Sequence, residues 1–372
     1  MKCCKVIAVI LALLMTAACT GCALLPAGVT VSADVPDLPS EFFCLSNQHQ
    51  QAADAWLGVY DGQLYYLPHC GHPGSRTEYE GWLCMLEDSR LVKLCQLGSG
   101  QVFIIGQMGR YLYYWDTASK PNEPDALMCY DLAQHRELPI CTGDRSSLTL
   151  CLTVFAPDGT LYVPLSADTT GAIRQYLHIR GTQLLGIVTD APVGYPLNGV
   201  TYTVDAENHE LENHVVAIGA DGTVREIQPL RSRFSSPLSL IPVDEGLLVH
   251  FTKDNRPLYH IGADHRVTLV FDAQCNTTKT ALSLAGDDLY FSLKRYAGRD
   301  GLGAYRFEND AVEGTYRISL TDFSPMKISD AIYSGLYWFG GDYLIACDEY
   351  CNVYVLNLDG SVRTTLIDVQ ER

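Results

Sequence analysis

Cys347 and Cys351 bound the segment CDEYC, with three residues between them. Across a hairpin loop of that length the two side chains could face each other, so a disulfide is the first chemistry to consider. A metal there would need ligands that the neighbouring sequence does not supply. Two other stretches hold ligand types. His69, Cys70 and His72 lie within LPHCGHPG, but three ligands so close together rarely serve one tetrahedral ion, and a polar loop between strands explains them better. DAENHELENH, from Asp205 to His214, gathers acids and histidines that could attract a cation, although such a run reads more simply as a solvated loop.

Catalytic signatures are scarce. The chain has no G-x-S-x-G elbow, no H-E-x-x-H and no P-loop. Ser324 and Lys327 in SPMK have S-x-x-K spacing, but that chemistry wants the start of a helix, and here the residues join two strands. No catalytic, cofactor-binding or metal-binding residue is assigned, and no cofactor is expected. The acids Asp287, Asp288, Asp342, Asp348 and Glu349 keep one hydrolytic alternative open. Glycoside hydrolysis needs two carboxyl groups about 5–9.5 Å apart, and on a repeat fold they could come from different units.

The elements that would position such residues are short strands. GQLYYL, RYLYYW, GTLYVP, GVTYTV, EGLLVH, DDLYFS and GDYLIA are alternating runs entered through Gly, Asp or Glu, or in one case Arg110 after Gly109. Each is followed by two apolar runs around a polar turn. The turns centre near Asp88, Ala133, Gly181, Asp221, Asp264, Asp310 and Asp359, with a mean spacing of about 45 residues, the span of one four-stranded propeller blade. Two are Asp-Gly, which predicts two-residue hairpins with both central residues at positive φ. QVFIIG, LTLCLTVF, PLSLIP, KTALSLA and IYSGLYWF fill the innermost slot of five units. The expected fold is all-β, a seven-bladed β-propeller of four-stranded blades over residues 46–372. Six blades plus an irregular segment is the alternative, because the unit around Asp310 is the longest. In this arrangement the tyrosines serve packing between blades rather than sugar binding.

Charge narrows the partners. With 26 Lys plus Arg against 43 Asp plus Glu, the net charge is −17, which repels phosphate backbones, so nucleic acid is not an expected partner. At the N-terminus, MKCCK precedes the apolar run Val6 to Ala18, too short to span a bilayer as a helix and suited to a signal peptide over residues 1–18. The small residues leading into Cys19 and Cys22 resemble a bacterial lipoprotein signal, in which the cysteine is diacylated. The resemblance implies attachment at Cys19, with Cys22 the alternative; both depart from the usual leucine three residues earlier, having Thr16 and Cys19 there. Residues 19–45 then form the lipidated end and a proline-containing tether.

YYWDT, from Tyr113 to Thr117, is similar to the YWTD blades of low-density-lipoprotein-receptor-type propellers, with Asp116 and Thr117 in reversed order. PDGTLYV and LNLDGSV look like phrases of bacterial extracytoplasmic propellers. SADTTG, from Ser166 to Gly171, approaches the Asp-box of sialidase-type propellers with its glycine one residue late. These likenesses imply the fold and carry over no functional residue. The expected protein is an extracytoplasmic module anchored in the bacterial cell membrane by its N-terminal lipid. It would bind a partner protein, small molecule or carbohydrate through blade loops. The alternative is a carbohydrate-active hydrolase with acids at the central pocket.

Overall fold

The computed structural model describes residues 28–40, 55–68, 77–98, 101–117, 124–143, 154–155, 159–164, 175–189, 194–208, 212–232, 238–251, 257–272, 277–295, 298–299, 305–306 and 312–370. Apart from one two-stranded hairpin, their strands group into seven antiparallel sheets whose four blade strands follow sequence order, the seventh with one further strand at its edge. It is a seven-bladed β-propeller. The blades span 55–96, 101–143, 154–189, 195–232, 238–271, 277–329 and 335–370. A small extra hairpin, Gly298–Arg299 with Tyr305–Arg306, sits between the second and third strands of blade six. Among the described residues there is no helix, and none long and apolar enough to cross a membrane.

The second strands explain why the chain folds this way. Successive side chains on a strand point to opposite faces, and both faces of a propeller blade meet a neighbour. In Tyr111–Thr117 of blade two, Leu112 and Tyr114 pack against blade one, while Tyr113 and Trp115 pack against blade three. All four are essentially inaccessible to solvent. The same division recurs at other blade junctions. Apolar clusters join blades four to five, five to six, six to seven, and seven back to one. The aromatics expected as packing elements are therefore interior.

Blade seven carries a fifth strand. Gly28–Val31 pairs antiparallel with Val362–Gln370, from Gly28 opposite Gln370 to Val31 opposite Ile367. Beyond it, the Asp37 carbonyl accepts from the Tyr343 hydroxyl at 2.5 Å, and the Pro39 and Ser40 carbonyls accept from Gly62 and Asp61 N–H groups of blade one. Residues 28–40, read from the sequence as tether, are thus built into the junction where the ring closes. The alternation in GVTV was too short to read as a strand without its partner.

Two further expectations change. The Asp-Gly turns are not two-residue hairpins: Gly222 and Gly360 have φ of 80° and 86°, while Asp221 and Asp359 stay outside the positive-φ region. Gly219 N–H bonds to the Thr223 carbonyl and Asn357 N–H to the Ser361 carbonyl, which makes each a type I turn closed by a left-handed residue and a bulge. His265 holds the same left-handed place in blade five, with φ 64°. The turn of blade six lies at Asp322, between Gly314–Ser319 and Pro325–Ser329, not at Asp310. Asp310 itself lies outside the described residues, in the stretch between Tyr305–Arg306 and Gly314–Ser319. Two innermost strands also escaped the pattern, Ala55–Tyr60 and the three-residue Tyr195–Leu197.

Candidate functional site: the loop-bearing face

Strand order divides the ring into two unlike faces. The turns between first and second strands, and between third and fourth strands, are short and lie on one face, here the turn face. Asp61-Gly62, Asp88-Ser89 and Asn198-Gly199 are two-residue examples with both φ values positive. Connections between second and third strands, and from blade to blade, lie on the opposite, loop-bearing face. They are the long ones: 69–81 in blade one, 118–124 in blade two, 165–174 in blade three and 296–313 in blade six. A scaffold whose long connections start and finish at one end is built to present them there.

The short connection of blade seven, residues 348–352, lies on that face. Asp348 organises it. One carboxylate oxygen accepts the N–H groups of Tyr350 and Asn352, both at 2.9 Å, and the other accepts Asn352 Nδ2 and the Tyr354 hydroxyl, also at 2.9 Å. Burial first, and then the neighbouring Asp348 charge, push the Tyr354 phenol well above its ordinary pKa. Next to it, Lys294 of blade six bonds Glu349 at 3.0 Å, tying two blades together at their rim. The Tyr66 hydroxyl of blade one donates to the Cys351 carbonyl at 2.9 Å, so the same turn is also held from the other side. Burial raises the Tyr66 phenol pKa strongly, which keeps it a donor.

The expected Cys347–Cys351 bond is not formed. Cys347 ends the strand Tyr343–Cys347 opposite Val353, and its thiol donates to the Asp348 carbonyl at 3.4 Å. Cys351 sits inside the turn at φ 68°, its N–H bonded to the Asp348 carbonyl, and is disulfide-bonded, while Cys347 keeps a free thiol. The bulged turn places Val353, not Cys351, across from Cys347.

The five acids of the hydrolytic alternative do not converge. Asp287, Asp288 and Asp342 lie at turns on the turn face, with Asp288 bonded to Arg317 at 2.7 Å and Asp342 3.7 Å from Arg363. Asp348 and Glu349 lie on the loop-bearing face and are engaged as described. A second strand of about 5 residues, ~17 Å, separates the two sets. Ser324 and Lys327 are not a nucleophile and base: the Ser324 hydroxyl donates to Asp322 at 2.6 Å, and Lys327 pairs with Asp330. Asp205–His214 is largely a hairpin extension, with Asp205 opposite His214 and Asn208 opposite Glu212. Cys19, Cys22, His69, Cys70, His72 and Ser166 to Gly171 lie outside the described residues. Among the described residues no group of three or more His, Cys, Asp or Glu is placed to hold a metal ion. Lys294, Asn352 and Tyr354 carried no linear signal, since their roles come from contacts with Asp348 and Glu349 made by the fold.

No protein family and no curated protein matches this sequence. Among solved structures, a prolyl endopeptidase is similar over 87% of this chain at 10% identity and a TM-score of 0.51. This chain spans 51% of that one, about half its length. Virginiamycin B lyase from Staphylococcus aureus aligns over 84% of this chain and 96% of its own, at 13% identity and a TM-score of 0.44. BamB from Moraxella catarrhalis aligns over 91% and 92%, at 11% identity and a TM-score of 0.38. At these identities the likeness shows the fold alone.

Proposed function

We propose that the protein is a non-enzymatic binding module, anchored to the outer side of a bacterial membrane, that grips a ligand or partner protein through its loop-bearing face. The observation that carries this reading is the sorting of connections: the strand ends that bound the long ones are on one face and the tight turns on the other. Anchoring is supported by the signal-like apolar run and the cysteines after it, with Cys19 as the attachment point and Cys22 as the alternative. The YWTD-type likeness adds no binding residue, because Tyr113, Tyr114 and Trp115 are interior. The hydrolytic reading has no comparable support, since the acids named for it lie on opposite faces of the ring.

Photo-crosslinking in cells tests the binding reading. A benzophenone side chain at Asp330, on the loop-bearing face and 96% exposed, should yield a discrete protein or glycan adduct. The same probe at Asp342, on the turn face and 87% exposed, should not. Equal labelling, or labelling from Asp342 alone, overturns it. Mass spectrometry of the mature N-terminus tests the anchor: a diacylated Cys19 or Cys22 is expected, and an unlipidated end refutes it.

A further inference from the structure

We infer that two copies of this chain pair through the outer strand of blade three, Gln183–Thr189, each adding its edge to the other's sheet. An outer strand leaves one row of backbone N–H and C=O groups outside the ladder, so every blade of the ring has an edge to protect. Most of the described outer strands do this visibly. Arg90–Gln96 carries Lys93, Arg136–Gly143 carries Pro139, Val224–Ser232 carries Pro229 and Pro325–Ser329 carries Lys327. Val362–Gln370 is covered by Gly28–Val31. Val267–Phe271 has neither charge nor proline, but it is only five residues long and its last two are buried. Gln183–Thr189, QLLGIVT, also has no charge and no proline, and it is longer. Three of its seven side chains are exposed and apolar: Leu184 at 36%, Leu185 at 44% and Ile187 at 58%. A register shift against the third strand occurs in every blade, so the bulge at Leu185 does not set this edge apart or protect it more than the others.

The strand's own sequence names the occupant. Antiparallel pairing with a second copy, about a twofold at Gly186, sets Leu185 against Ile187, Leu184 against Val188 and Gln183 against Thr189. Apolar residues then meet apolar ones, the polar ends meet each other, and no like charges face across the seam. A register two residues away sets Gln183 against Ile187, or Leu185 against Thr189, and loses that match. Gly186, on the axis, puts no side chain between the copies, and nothing of its own chain lies within 4 Å of where a Cβ would be. Seven paired residues form about six backbone hydrogen bonds and bury less than the roughly 1,200–2,000 Å² of a standard interface, so the dimer is weak, with a Kd of about 10–100 µM. The net charge of −17 on each copy opposes approach at a distance, while the uncharged seam does not depend on salt, so salt tightens the pair. A partner held by charge would behave in the opposite way. Blade seven already accepts an antiparallel strand on its outer edge. The seam lies on the circumference of the ring, so it stands independently of which face binds a ligand.

Cysteine crosslinking of the full chain tests the pairing. Ile187→Cys and Leu269→Cys place thiols at positions 58% and 53% exposed, on the outer strands of blades three and five. The twofold leaves the two copies of residue 187 diagonal to each other, about 7–8 Å apart, within reach of a short bismaleimide. Ile187→Cys should therefore give a crosslinked dimer well above the wild-type background, and Leu269→Cys should not. Equal yields at the two sites, as mere sharing of a membrane or micelle would produce, overturn the proposal, as does no product from Ile187→Cys. A product whose mass is not twice that of the chain also overturns it, because the occupant is then a different protein. Sedimentation velocity over about 1–200 µM should show a dimer that grows with protein concentration and with NaCl. Ile187→Lys, which sets like charges diagonally across the seam, should lose that dimer, and Leu269→Lys should keep it. A dimer that persists in Ile187→Lys, or that dissociates as salt rises, overturns the pairing. If the lysine perturbs the strand, the crosslinking contrast still decides.

Discussion

The Tyr113 hydroxyl of blade two donates to the Gly181 carbonyl of blade three at 2.8 Å, fastening one blade's second strand to the outer hairpin of the next. The relationship recurs at the equivalent third position of other second strands. Tyr65 reaches the Leu132 carbonyl at 3.4 Å, Tyr202 meets His265 Nδ1 at 2.9 Å, and Tyr290 reaches the Leu358 carbonyl at 3.2 Å. Each ring is buried while its hydroxyl finds a partner at the turn, which suits an aromatic with one polar end. Tyr113→Phe should lower stability by about 1 kcal/mol in urea unfolding, with the fold retained. Tyr65→Phe, whose bond is longer, should cost less.

The left-handed turn residues differ in what surrounds them. A Cβ on Gly222 would meet nothing within 4 Å, whereas one on Gly360 would lie 2.7 Å from the Ile328 carbonyl oxygen and 2.9 Å from its Cβ. Gly222→Ala should therefore cost only the conformational penalty, about 1 kcal/mol. Gly360→Ala should cost that and roughly 1–3 kcal/mol more from overlap with blade six. Equal midpoints for the two variants would contradict the packing of the blade seven turn against Ile328.

Acid should weaken the turn face. Asp221 is held below the usual carboxylate range by the Thr223 backbone N–H, and Asp322 and Asp359 by the hydroxyls of Ser324 and Ser361. A carboxylate with a depressed folded pKa stabilises the protein above its unfolded value, about 3.9, and loses that contribution as pH falls through the folded value. Replacing all three by Asn, which keeps an acceptor that does not titrate, should flatten the fall of thermal midpoint below pH 4. An unchanged acid limb would show that these turns do not contribute.

Thiol chemistry distinguishes the cysteines. Burial pushes the Cys84 thiol up to about 12 and the Cys95 thiol up to about 11. At pH 8 the native Cys95 should alkylate roughly a hundredfold more slowly than an ordinary cysteine, because so little is thiolate. After unfolding without reductant, Cys347 should alkylate and Cys351 should not; adding reductant should expose Cys351. Labelling of both before reduction would refute the disulfide at Cys351.

Removing residues 28–40 should destabilise ring closure. It deletes the fifth strand and the carbonyls that accept from Tyr343, Asp61 and Gly62. It also uncovers the edge of Val362–Gln370, and an open edge invites pairing between chains. A lower thermal midpoint and concentration-dependent association in size-exclusion chromatography are expected. An unchanged midpoint would mean that the strap only decorates the blade.

What the sequence determined by itself is the repeating unit. Strand alternation and turn chemistry are local, so runs such as RYLYYW and DDLYFS, and turns such as Asp221-Gly222, announced blades at a spacing near 45 residues. Features whose partner is distant in the chain were not legible. Gly28–Val31 is a strand only because Val362–Gln370 lies beside it. Cys347 and Cys351 are near in sequence, yet the bulged turn sends them to different environments, and Asp310 yielded its place to Asp322 because an insertion moved the hairpin. The site shares this character. Lys294 meets Glu349, and Tyr66 meets the Cys351 carbonyl, across blade boundaries, and only the closed ring brings those residues within hydrogen-bond range.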